Sequence, residues 1–142
     1  ARAAPQSVDA HRALAGHYQR AGHYRAALNE YQAVSQITPE NPAAYLHMAS
    51  VYRQMGQHQQ SQTQYLNALE LRPNDVGIYR QLAGAYRRGG DLAAAVDTYQ
   101  QIIDLEPGTR EANQAARNIH RIERQIAKPP KNPRKPKKPK AA

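Results

Sequence analysis

The residues best suited to chemistry in this sequence are arginines set at helical spacing beside small residues. Arg12–Gly16–Gln19, Leu46–Ser50–Arg53 and Arg80–Gly84–Arg87 each place their members four and seven positions apart, a spacing that puts side chains on one helix face. A guanidinium fork takes a carboxylate or phosphate in bidentate geometry. A small central residue lets a bound chain come close to the helix. The chemistry on offer is recognition of acidic groups rather than bond-making. The histidines at 11, 17, 23, 47, 58 and 120 are scattered over different faces, and His17 and His23, six apart, do not share one. No HExxH pair, paired acids or Gly-rich phosphate loop occurs, and no serine has a nucleophile-elbow context. Cysteine is absent, which removes disulfide, thiolate-metal and cysteine-nucleophile readings. The sequence therefore indicates no catalytic residue, no metal site and no cofactor.

Helices must hold these triplets, and the sequence repeats the helices. Pro39, Pro73 and Pro107 recur every 34 residues and divide the chain into units 8–41, 42–75 and 76–109. His11, Tyr45 and Tyr79 open the units, followed by Leu14-Ala15, Met48-Ala49 and Leu82-Ala83. Tyr18, Tyr52 and Tyr86 come next, then Gly22, Gly56 and Gly90. The second halves align Ala27, Ser61 and Ala95, then Tyr31, Tyr65 and Tyr99, then Val34, Ala68 and Ile102, and end on Ile37, Leu71 and Leu105. The 3–4 spacing of Tyr45, Met48, Ala49 and Tyr52 predicts one helix, and Tyr65, Ala68 and Leu69 predict a second after the glycine. Asn41-Pro42 reads as an N-cap followed by a proline at the first helical position. Ser7 is expected to cap the first helix and leave residues 1–7 frayed. Residues 110–127 predict a closing helix capped by Thr109, with an apolar stripe of Ala112, Ala116, Ile119, Ile122 and Ile126 and polar residues elsewhere.

These residues resemble the tetratricopeptide repeat pattern, W-x2-L-G-x2-Y…A-x3-F…P. The resemblance covers residues 8–109, with Tyr or His for the Trp, Ala for the small Gly and Tyr for the Phe. It implies an all-α, right-handed superhelical solenoid of antiparallel helix pairs. It also implies a non-enzymatic scaffold or adaptor that holds a partner's peptide in a concave groove lined by the first helix of each pair. Recurrence of the tyrosines at signature positions assigns them to the core rather than to base stacking. The expected groove residues are Arg12, Gln19, Leu46, Ser50, Arg53, Arg80 and Arg87. First helices (8–22, 42–56, 76–90) carry net +5 and second helices (23–38, 57–72, 91–106) net −4, so the expected groove is basic and its partner peptide acidic or ended by a carboxylate. Chaperone-binding members clamp two carboxylates with Lys, Arg and Asn. Gly16, Ser50 and Gly84 stand where Asn or Arg would be needed, so that clamp is not expected here.

The overall charge of +9 belongs mostly to the end of the chain. Residues 1–127 hold thirteen arginines against eleven acids, and every lysine lies at or beyond Lys128. Proline recurs through 128–142 too often for helix or strand, and the like charges favour extension, so this tail is expected to be disordered. Lys131, Arg134, Lys135, Lys137, Lys138 and Lys140 give an alternative function: weak, salt-sensitive contact with a polyanion such as nucleic acid, anionic lipid or cell-wall polymer. No run of about 18 apolar residues is present, so no transmembrane helix is expected. Ala1-Arg2-Ala3 would fit the remnant of a signal-peptidase site, but no apolar segment precedes it, and the compartment is left open between cytoplasm and export. A first repeat without a cap leaves Val8, His11 and their neighbours open to pairing with a second copy.

Overall fold

The computed structural model describes residues 5–128; residues 1–4 and most of the basic tail, 129–142, lie outside that range. All regular structure among the described residues is helical. In chain order the helices are α1 (Pro5–Arg20), α2 (Tyr24–Ile37), α3 (Ala43–Gln54), α4 (His58–Leu71), α5 (Val76–Arg88), α6 (Leu92–Leu105) and α7 (Arg110–Ala127). Each packs mainly on its neighbours in the chain, the one-dimensional arrangement of a helical repeat solenoid.

The small residues explain how closely the paired helices approach. Ala15 and Ala27, Ala49 and Ser61, and Ala83 and Ala95 are all fully buried. Ser61, the one polar member, donates its hydroxyl to the Ala49 carbonyl at 2.9 Å. Tyr31, Tyr65 and Tyr99 then fill the gaps and are 3–5% exposed. Tyr45 packs against the core cluster of Ala15, Tyr31 and Met48 and against that of Tyr65, Ile78 and Leu82. Tyr79 and Tyr86 join the latter to the cluster of Tyr99, Ile102 and Ile122. The core is therefore continuous along the stack.

Gly22, Gly56 and Gly90 each end a first helix with φ between 74° and 86°. That left-handed backbone strains any residue with a Cβ. Asn41 caps as expected, its Oδ1 accepting from the Ala43 N–H at 2.9 Å. Thr109 does the same for α7 through the Ala112 N–H at 3.1 Å.

Three local expectations differ from the structure. Helix α1 begins at Pro5, so Ser7 lies inside it rather than at its cap, and residues 5–7 are helical rather than frayed. On α7 the buried alanine is Ala115, while Ala116 is exposed, because Ala115 continues the 3–4 spacing of Ala112, Ile119 and Ile122 and Ala116 lies off that face. Ile126 is 56% exposed in the last turn, where the residues from 123 onward are all exposed. At the other end Leu14 is 41% exposed, whereas its equivalents Met48 and Leu82 are buried. Leu82 packs in the cluster that holds Tyr65 and Leu69 of the preceding α4, and no described helix precedes α1. His11, at the tyrosine position, places Nδ1 3.0 Å from Glu30 Oε1 and so ties α1 to α2 by a polar contact.

Candidate functional site

Three of the expected groove positions in the second repeat meet one in the third around a single pocket. Leu46, Ser50 and Arg53 from α3 face Arg80, Gly84 and Arg88 from α5, with His47 and Gln81 at the edge and Tyr65 of α4 also lining the space. The pocket has a volume of about 440 Å³. Its width follows from the sequence: Ser50 and Gly84 sit at the middle of each first helix, and neither fills the gap. Tyr65 is only 4% exposed, so its ring gives the pocket a rigid wall.

The electrostatics are one-sided. Arg53, Arg80 and Arg88 line the pocket and no carboxylate does. Among the described residues none of the three has an ion-pair partner. Burial lowers the Arg88 pKa, and the nearby Arg53 charge lowers it further. Burial raises the Tyr65 pKa, while Arg88 and Arg53 pull it back. Two guanidiniums thus act on one phenol, with no carboxylate among the residues that line the pocket. His47 stacks on Tyr31 with ring centroids 4.9 Å apart and planes 10° from parallel. Partial burial, and then the charge of Arg12, lower its pKa, so the neutral ring is favoured.

The remaining expected positions are placed differently. Arg87 is exposed and does not line the pocket; Arg88 does. Helical side chains lean toward the N-terminus, so the residue four after Gly84 reaches back over it better than the residue three after. Gln19 lies in the seam between the first two repeats. Its Nε2 donates to Gln54 Oε1 at 2.8 Å and Ser50 Oγ at 3.3 Å, and its Oε1 accepts from the Tyr31 hydroxyl at 3.1 Å. Arg12 is exposed and pairs loosely with Asp9 at 3.6 Å, outside the pocket. Lys131, Arg134, Lys135, Lys137, Lys138 and Lys140 lie outside the described residues. Tyr65 and His47 were not expected in the site: Tyr65 reads as core from its periodicity, and it is core on one side and pocket wall on the other. Among the described residues no group of three or more His, Asp or Glu is gathered for a metal, and no helix is long and apolar enough to cross a membrane.

Comparison with known proteins agrees with this architecture. A tetratricopeptide repeat model matches residues 40–105, and a TPR repeat model matches residues 17–56. No curated protein matches the chain in sequence. Among solved structures, the first TPR of Spaghetti (RPAP3) bound to the HSP90 peptide SRMEEVD is similar, at 21% identity and TM-score 0.69, covering 88% of this chain and 97% of that one. The Yersinia enterocolitica type III secretion chaperone SycD, in complex with a peptide of the translocator YopD, is similar at 16% identity and TM-score 0.71, covering 87% and 97%. The TPR2B domain of yeast Sti1 in a pHsp70 complex is similar at 17% identity and TM-score 0.69, covering 84% and 98%.

Proposed function

The chain belongs to the tetratricopeptide repeat family, and on that premise we propose that it is a non-enzymatic interaction module, a scaffold or adaptor, whose first-helix groove holds an extended acidic segment of a protein partner. One observation carries the reading: Arg53, Arg80 and Arg88 share a pocket that no carboxylate lines. Unneutralised guanidiniums repel one another, and an acidic side chain or a chain-terminal carboxylate relieves that repulsion with bidentate hydrogen bonds. Ser50 leaves room for the peptide backbone, Gly84 makes room for the Arg88 side chain, and Leu46 gives an apolar contact beside the charges. Arg12, farther along the first-helix face, would extend the contact. The neighbours in fold support a peptide partner, since Spaghetti and SycD are each described with a peptide and Sti1 in a pHsp70 complex. The peptide SRMEEVD is itself acidic at its end.

A peptide array of acidic, neutral and basic twelve-residue segments, probed with the full chain, tests the reading. Acidic segments should be selected, and their signal should weaken as salt rises. Equal selection of neutral or basic segments would remove the basic pocket from the account.

A further inference from the structure

A second charged surface lies on α7, none of whose residues lines the pocket. Helix α7 carries Arg110, Arg117, Arg121 and Arg124, and Lys128 follows as its C-cap. At 100° per residue all five fall within about 60° of one another around the axis, and all five are exposed. The two acids of the helix, Glu111 and Glu123, lie to either side of this stripe, and none of the five cations has an ion-pair partner among the described residues. Ala112, Ala115 and Ile122 bury the opposite face.

We propose that this stripe is a docking surface for the phosphate backbone of nucleic acid, read without regard to sequence. Helix stability accounts only for Arg124 and Lys128, which suit the dipole at the C-terminal end. Arg117 and Arg121, Arg121 and Arg124, and Arg124 and Lys128 are like-charged pairs three or four apart, which oppose helix formation. Arg110 stands in the first turn, where the helix dipole disfavours a cation. The stripe does fit a dense linear anion. Its last four members rise about 6, 4.5 and 6 Å apart along the axis, and six more cations follow in sequence at Lys131, Arg134, Lys135, Lys137, Lys138 and Lys140. A protein partner would need an apolar contact centre, and the largest apolar residue beside the stripe is Ala116. An anionic membrane is the poorer fit, because an interfacial helix inserts an apolar face and α7 spends that face on α6. No Phe, Tyr or Trp accompanies the arginines, and His120 is the one ring among them, so an extended stacking platform and sequence readout are not expected.

The test is anisotropy titration of the full chain against a labelled random-sequence 20-base-pair duplex from 50 to 200 mM KCl. Five phosphate contacts contribute a salt slope of about 4.5. The variant Arg117→Gln/Arg121→Gln/Arg124→Gln should lower the slope by about 2.7 with unchanged helix content by circular dichroism. A control with the same change in charge, Arg53→Gln/Arg80→Gln/Arg88→Gln, should keep the slope, which also separates this surface from the peptide pocket. Vesicles with 30% phosphatidylserine form a parallel arm. Equal loss in both variants would reduce the effect to net charge and overturn the proposal. So would an unchanged slope in the α7 variant, or stripe-dependent binding to vesicles but not to the duplex.

Discussion

Arg88 lies back over Gly84, its Nη1 3.2 Å from the point that a Cβ at residue 84 would occupy. Arg20 stands over Gly16 in the same way, at 3.3 Å. Glycine inside a helix lowers stability relative to alanine, yet here it makes the space in which an arginine of the next turn is seated.

Stability and binding should therefore part company at residue 84. Gly84→Ala is expected to raise unfolding stability by about 0.5–1 kcal/mol, because the only close atoms belong to a flexible side chain. Gly84→Leu should fill the pocket and weaken acidic-peptide binding at least about tenfold, or ~1.4 kcal/mol. Chemical denaturation and peptide titration of the two variants check this. A Leu variant that binds like the parent would show that the ligand does not enter between α3 and α5.

Repeat geometry predicts a helix cap that the sequence lacks. Asp91 precedes α6 at φ −87°, ψ 78° and accepts from the Ala94 N–H. Gln57 precedes α4 at φ −95°, ψ 80° with no side-chain cap bond. Gln57→Asp should supply that bond and stabilise the fold by about 0.5–1 kcal/mol. Asp91→Ala should cost a similar amount. Denaturant midpoints decide it, and a destabilised Gln57→Asp would mean that matching dihedrals do not suffice.

The buried hydroxyl of Ser61 is a test of packing against hydrogen bonding. Ala27 and Ala95 occupy its position in the other repeats, equally buried. Ser61→Ala should therefore change stability by no more than about 1 kcal/mol. Ser61→Leu has no room between α3 and α4 and should cost about 1–3 kcal/mol or more. Thermal melts of both variants test the ranking, and the reverse order would contradict it.

Much of this was legible in the sequence because the repeat states its features three times. The small residues at Ala15/Ala27, the turn glycines and the tyrosines appear in phase, so each position is read against two others. The site was less legible because its residues are where the repeats differ. Arg88 rather than Arg87 lines the pocket, a distinction set by the backward lean of helical side chains and not by face alone. Gln19 shares a face with Arg12, but the neighbouring helix supplies Ser50 and Gln54 and draws it into a seam. Tyr65 carries the periodicity of core, and periodicity does not report that a ring can seal a cavity on its far side. One position of the α7 stripe was misread, Ala116 for Ala115, although Ala112, Ala115, Ile119 and Ile122 follow the 3–4 spacing of one face and Ala116 lies off it.

Acid should loosen the seam between the first two repeats. His47 has its pKa lowered from 6.5 by partial burial and by Arg12. The unfolded chain therefore takes up that proton first, and stability falls as pH drops below about 6.5. Above about pH 7 the ring is neutral in both states and contributes no slope. Urea midpoints from pH 7.5 to 5.5 should decline more steeply for the parent than for His47→Gln. Parallel curves would mean that His47 titrates as it does in the unfolded chain.

The central claim is that the arginines between α3 and α5 bind an acidic segment of a partner. The most direct measurement is calorimetric titration of the strongest acidic array peptide into the parent chain and into Arg53→Glu/Arg88→Glu, with melting curves to confirm that both are folded. The account requires affinity to fall at least about tenfold, ~1.4 kcal/mol, in the charge-reversed chain while its helix content stays the same. A folded variant that binds the same peptide as tightly as the parent would contradict it.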